Sequence, residues 1–285
     1  MGLRLVRPLN NNVVLATDVG SGHEVVAVGK GLGYERRGAT VAGAGGLLDE
    51  DRIEKVFFFV TEAKRRQYAQ LLEIIDEEVI GVCEEIIGLA ATRLGGELNE
   101  HIHIALPDHI GFAIERLNRG FEIPNPFLPE IQALYPGEYD VAGEAVRLVS
   151  ERLGVTLPDE ERGFLALHFH AARRDQSPKS VMRHTLLIRE MVERIQAALG
   201  RVFEEQDLAY VRLVTHLKFA LEFMETGRRI LNPLLERIRS EFPESYELAA
   251  NVIREVSPYP VSEDEIGYLA LHLQKIKGIK RPVDK

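Results

Sequence analysis

The sequence has one cysteine, Cys83. This excludes an internal disulfide and any cysteine-rich zinc site, and suits a reducing compartment. It has no run of ~18 apolar residues, so no membrane-spanning helix is expected. The start, Met1-Gly2-Leu3-Arg4, leads into Asn10-Asn11-Asn12 without the apolar stretch of a signal peptide. Val6 stands where a myristoylation signal needs Ser or Thr. The expected location is cytoplasmic, with no membrane insertion. Hydrolase chemistry has little to stand on: no Ser/His/Asp arrangement is evident, and Gly29-Lys30-Gly31 lacks the length and the Ser/Thr of a phosphate-binding loop.

What is present fits a soluble globular chain of two or three domains, with 285 residues, 45% hydrophobic and 28% charged. The net charge of −9 argues against a surface coated by nucleic acid. Residues 1–60 are balanced at seven Lys/Arg against seven Asp/Glu, and residues 1–37 lean basic, five to three. A phosphate-backbone partner would therefore prefer the N-terminal segment.

A duplication organises the rest. Asp108-His109-Ile110-Gly111-Phe112-Ala113-Ile114-Glu115 matches Thr215-His216-Leu217-Lys218-Phe219-Ala220-Leu221-Glu222 at an offset of 107 residues. Asn125-Pro126 matches Asn232-Pro233 at the same offset. Gly163-Phe164-Leu165-Ala166-Leu167-His168 matches Gly267-Tyr268-Leu269-Ala270-Leu271-His272 at 104. Two homologous domains of ~100 residues follow, over 67–174 and 179–282, with a linker at 173–179. Both read as helical. Leu72, Ile75, Val79, Val82, Ile86 and Leu89 form one apolar stripe across 71–95. Pro158 with Asp159-Glu160-Glu161 suits a helix's first turn, and Ser262-Glu263-Asp264-Glu265 reads as a capping box.

Residues 1–60 differ. Val13-Val14-Leu15-Ala16 and Glu24-Val25-Val26-Ala27-Val28 are strand-like runs joined by a turn at 18–22. The Gly/Ala-rich segment 38–46 reads as a flexible loop. The fold class is mainly α: a small N-terminal antiparallel β-sheet domain followed by two homologous helical bundles. Sixty residues bury little core, so dimerisation would help the sheet stand.

His109, His168, His216 and His272 occupy corresponding places in the two copies, whereas His101, His103, His170 and His184 have no counterpart. A single histidine near an apolar helix face is usually a hydrogen-bonded packing residue; packing does not require imidazole twice over at two matched sites. Neutral imidazole is nucleophilic near pH 7 and accepts a phosphoryl group by in-line transfer. Zinc binding competes as an explanation, although no carboxylate is evidently positioned with the histidines.

Asn10-Asn11-Asn12-Val13, Val28-Gly29-Lys30-Gly31-Leu32-Gly33-Tyr34, Arg52-Ile53-Glu54-Lys55-Val56-Phe57 and the two blocks around His109 and His216 resemble, in order, the bacterial antiterminators of the BglG/SacY/LicT group. The resemblance implies that residues 1–60 are a co-antiterminator domain, a four-stranded sheet that dimerises and binds a hairpin in a leader mRNA. It implies an RNA surface of Asn10, Asn12, Gly29, Lys30, Gly31 and Tyr34, with Arg7 as a basic helper. Amides read base edges, Gly admits backbone, Tyr stacks and Lys meets phosphate. Lys30 stands where relatives often have Arg, a difference for bidentate contact. The helical copies resemble PTS regulation domains, phosphorylated at His109, His168, His216 and His272 by the phosphocarrier protein HPr and a sugar-specific permease domain, in a homodimer. Neither a cofactor, a metal nor a catalytic residue is implied. The alternatives are a regulation-domain activator that binds DNA, a metal-dependent phosphohydrolase, and a structural helical scaffold.

Overall fold

The computed structural model describes residues 2–34, 46–59, 61–204 and 207–278. Of the loop expected at 38–46, only Gly46 falls within them. Four strands, β1 (Leu3–Pro8), β2 (Val13–Asp18), β3 (Glu24–Val28) and β4 (Lys55–Phe58), precede helices α1 (Glu62–Ile74), α2 (Glu77–Leu94), α3 (Ile102–Asn118), α4 (Leu128–Leu134), α5 (Pro136–Leu153), α6 (Asp159–Arg173), α7 (Pro178–Leu199), α8 (Leu208–Thr226), α9 (Leu235–Glu241), α10 (Pro243–Val256) and α11 (Glu263–Gly278). The mainly α architecture with one small N-terminal sheet is the expected one. The chain forms two compact units: Met1–Asn125 with Gly137–Pro178, and Pro126–Pro136 with Lys179–Lys285.

In the first unit the strands make an antiparallel meander in the order β1-β2-β3-β4. Val14 pairs with Ala27 and Leu15 with Val26. The apolar runs in β2 and β3 are continuous rather than alternating, which requires cover on both faces. Val14, Ala16, Val25 and Ala27 point to one side, against Leu3, Leu5, Leu32 and Leu48. Val13, Leu15, Val26 and Val28 point to the other, where Phe59 after β4, Tyr68 and Leu71 of α1, and Ile80 of α2 close over them. The sheet thus gains its second layer from the helices that follow it.

The single stripe expected across 71–95 is divided between two helices. Ile75 ends α1, and the Asp76 side chain accepts a hydrogen bond from the Glu78 N–H to start α2. Asp competes well for such an N-terminal cap, so the break falls where the periodic pattern alone gave no warning. Ile80, Val82, Cys83, Ile86 and Ile87 are fully buried, while Leu72, Ile75, Val79 and Leu89 are only half-buried.

In the second unit Asp207 caps α8 by accepting from the Ala209 N–H, and Gly227 ends it in the left-handed region at φ 66°. The expected capping box at 262–265 forms by half: the Ser262 hydroxyl oxygen accepts from the Glu265 N–H at 3.2 Å, while Glu265 Oε1 is buried without a hydrogen-bond partner. Helix α4 belongs to this unit, where the Tyr210 hydroxyl of α8 donates to Glu130 at 3.0 Å. No described helix is long and apolar enough to cross a membrane.

Candidate functional site

In the first helical copy, α3 carries His109 and α6 carries His168, and the packing of these helices brings the rings to 4.9 Å between centroids. Contrary to the expectation that no carboxylate accompanies the histidines, Glu161 Oε2 lies 2.9 Å from His109 Nε2, and its other oxygen pairs with Arg116. Burial alone would raise the Glu161 carboxyl, but the hydrogen bond and charge of His109 and the Arg116 guanidinium outweigh it and hold it below the usual carboxylate range. An ionised carboxylate only accepts, so His109 Nε2 carries the proton and Nδ1 keeps the lone pair when the ring is neutral. Burial first, and then the neighbouring His109 and His101 charges, push His168 down to about 3. Its Nδ1 is buried without a hydrogen-bond partner.

The second copy repeats the pairing with different surroundings. His216 on α8 and His272 on α11 have ring centroids 3.4 Å apart, tilted by 38°. Burial, with the charges of His216, Lys275 and Arg212 behind it, lowers His272 to about 4; burial also lowers His216. The repeat offsets put Glu265 opposite Glu161 but Phe223 opposite Arg116. Without that guanidinium, burial and the neighbouring Asp264 raise the Glu265 carboxyl. His216 is exposed and the other three rings are half-buried, none sealed from solvent. His168, His216 and His272 are therefore uncharged near pH 7, the form in which imidazole acts as a nucleophile.

Six of the seven residues suggested for RNA contact line one cleft of about 870 Å³: Asn10, Asn12, Gly29, Lys30, Gly31 and Tyr34. Arg7 stands apart and pairs with Glu77 at the start of α2. Asn10 Oδ1 accepts from the Asn12 and Val13 N–H groups, both at 2.8 Å, which ties the β1–β2 turn. Asn12 Oδ1 accepts from the Gly31 N–H at 2.9 Å and so joins that turn to the loop after β3. With their carbonyls engaged, both amides direct their NH₂ groups toward Glu85 of α2. Gly29 has a structural duty, because a Cβ there would lie 1.8 Å from the Arg52 carbonyl oxygen. Gly31, at φ +68° with open space around it, is the glycine that leaves backbone accessible. Lys30 and Tyr34 are exposed, Tyr34 at 69%.

Sequence reasoning passed over Glu161, Arg116 and Glu85. For Glu161 a signal existed: it precedes His168 by two helical turns, on the same face, and Glu265 precedes His272 equally. Glu85 carries no such signal, since its partners Asn10 and Asn12 lie more than seventy residues away.

Known proteins resemble this chain along nearly its whole length. The CAT RNA binding domain family matches residues 3–66, and the PRD domain family matches residues 84–172 and 189–276. The transcription antiterminator LicT of Bacillus subtilis is 31% identical over 96% of this chain and 99% of its own length. The beta-glucoside operon antiterminator of Dickeya chrysanthemi is 33% identical over 97% of each chain, and the PtsGHI operon antiterminator of B. subtilis is 34% identical over 94% of this chain and 95% of its own. The crystal structure of GlcT CAT-PRDI has 38% identity and a TM-score of 0.50, over 60% of this chain and 98% of that one. With one RNA-binding domain and two regulation domains matched in order along nearly its whole length, the chain belongs to the LicT/BglG-type family of transcription antiterminators.

Proposed function

We propose that the protein is a cytoplasmic, sugar-responsive antiterminator that binds a hairpin in a leader mRNA as a homodimer and thereby prevents a terminator from forming. It is a regulator and not an enzyme. Its parts are a co-antiterminator domain over 1–60 and regulation domains over 67–174 and 179–282. Asn10, Asn12, Lys30, Tyr34 and the backbone at Gly31 contact the RNA, with Gly29 shaping that loop and Arg7 contributing charge. His109, His168, His216 and His272 accept phosphoryl groups from HPr and from a sugar-specific permease domain.

The observation that carries this reading is the pairing of imidazoles at equivalent places on α3/α6 and α8/α11. Each phosphoryl group adds roughly −1.5 to −2 charges. Two such groups ~8 Å apart across a subunit contact repel by roughly 2 kcal/mol in a water-like dielectric and by roughly 8 kcal/mol at an effective dielectric of ~20. Reversing a 1:99 equilibrium takes ~5.5 kcal/mol, so at a partly desolvated contact the charge is sufficient to rearrange a dimer. The DNA-binding alternative needs a helix-turn-helix, and the described residues up to Phe59 form four strands. The test is mass spectrometry after incubation with phosphoenolpyruvate, the general phosphotransfer proteins and the permease domain, which should find phosphohistidine at these four positions. His109→Asp and His168→Asp should each change oligomeric state or RNA affinity. Unmodified histidines and unchanged behaviour in both variants would sink the reading.

A further inference from the structure

The Asn10 and Asn12 amide donors suggested for RNA are already engaged. Asn10 Nδ2 donates to Glu85 Oε1 at 2.7 Å, and Asn12 Nδ2 donates to Glu85 Oε2 at 3.0 Å, so one carboxylate of α2 spans both amides. The Glu85 side chain is only 11% exposed, and Arg152 of α5 holds it from behind at 3.1 Å. Gly81, one turn earlier on α2, lies so close to Asn10 that a Cβ would meet its amide at 2.7 Å. Lys55 of β4 closes a second latch by donating to the Gly88 carbonyl at 2.8 Å.

These contacts share one chemistry. The Asn10 and Asn12 carbonyls are spent on the turn, leaving NH₂ donors, and donors take a phosphate oxygen or a base acceptor as readily as a carboxylate. The helical wall of the cleft presents Glu78, Glu85, Glu144 and Glu151 against Arg147 and Arg152, so an incoming phosphate backbone meets net negative charge. We propose that α2 is an intramolecular inhibitor, in which Glu85 occupies the RNA-reading amides of Asn10 and Asn12 and must leave before RNA binds. This rests on the reading of Asn10 and Asn12 as RNA contacts. Because α2 packs along α3, the inhibitory helix adjoins the helix that carries His109.

The population of the open state scales the apparent affinity. Glu85→Ala in the full chain should therefore tighten RNA binding at least tenfold. Gly81→Ala is an independent route: it favours the helix while its methyl displaces Asn10, so it separates opening from unfolding. The probe is a hairpin RNA enriched from a randomised pool on the Glu85→Ala protein, titrated by anisotropy into wild type, Glu85→Ala, Gly81→Ala, and Glu85→Ala with Asn12→Ala. Amide hydrogen exchange at 10–13 and 81–88 reports opening. Tighter binding in both single variants, lost with Asn12→Ala and accompanied by faster exchange, supports the inference. Equal affinity for wild type and Glu85→Ala, with binding still dependent on Asn12, overturns the inhibitor and leaves the RNA surface standing. Binding indifferent to Asn12, or no enriched RNA at all, overturns both.

Discussion

Glu161 shows how one side chain sets the chemistry of another. By accepting from His109 Nε2–H it fixes both the ring's tautomer and its orientation, leaving the lone pair on Nδ1. The phosphoryl group is therefore expected on Nδ1 of His109. Glu161→Gln, which leaves shape but removes charge, should slow phosphorylation of His109 by roughly tenfold, by analogy with the loss of other carboxylates that orient a histidine. His216, whose copy has Phe223 in place of the arginine, should keep its rate and serve as the internal control. Equal rates at His109 in variant and wild type, followed by phosphohistidine mass spectrometry, would remove Glu161 from the mechanism. A second residue-scale contrast concerns the two glycines of the loop after β3. Gly29→Ala drives a methyl into the Arg52 carbonyl and should cost ~3 kcal/mol or more in urea unfolding. Gly31→Ala meets nothing and bears only the left-handed backbone, ~1–2 kcal/mol. The sequence marked both glycines as a pair; only the packing of the 3-10 turn at Glu50–Arg52 against β3 tells them apart.

At the scale of elements, what was legible followed from local periodicity and what was not depended on a partner far along the chain. The continuous apolar runs of β2 and β3 gave strands, and the matched blocks gave four histidines on helices that pair. Pro158 and the acids after it marked the start of α6, where Asp159 does begin the helix. The Ile75–Asp76 break was hidden because its apolar residues keep helical spacing across it, and Asp76 acts through a backbone N–H that no pattern displays. The cover of the sheet by Tyr68, Leu71 and Ile80 was hidden for a different reason: a two-sided apolar strand demands a second layer without naming it, and dimerisation was the other candidate. The half-made capping box of α11 yields a prediction here. Ser262→Ala should cost about 1 kcal/mol of the second unit's stability, the usual value for a lost N-terminal cap, measured by denaturant titration. Glu265→Gln should stabilise that unit at pH 7, because it removes a buried carboxyl whose Oε1 lacks a partner and whose ionisation burial opposes. A destabilised Glu265→Gln protein would mean that the carboxylate has a role in holding α11 after all.

For the whole molecule, the histidine pairs set a limit on acid tolerance. His168 and His272 titrate at about 3 and about 4 in the folded chain, against ~6.5 when unfolded. Between pH 6.5 and 4 the unfolded state binds the extra protons, so stability falls as pH falls, by up to ~1.4 kcal/mol per pH unit for each ring. Glu138 adds to the loss only at lower pH: burial alone would raise it, but His170 and Arg173 hold it at about 2, so its contribution disappears from ~4.5 downward. Glu130 and Glu265, both raised mainly by burial, act the other way, since protonation suits their folded environments and offsets part of the decline. The histidines therefore own the window from 6.5 to 4.5, before most carboxylates titrate. Denaturant midpoints at pH 7, 6, 5 and 4.5 should fall steadily, in the first unit mainly through His168 with a smaller part from His101, and in the second mainly through His272 with a smaller part from His216. His168→Gln should flatten the dependence of the first unit alone and His272→Gln that of the second, because an amide takes no proton in this range. The same desolvation that keeps these rings neutral, and so available to a phosphoryl donor, is what makes their protonation costly. A midpoint independent of pH across that window would show that the rings are hydrated in the folded chain and that burial does not hold them in the neutral, nucleophilic form.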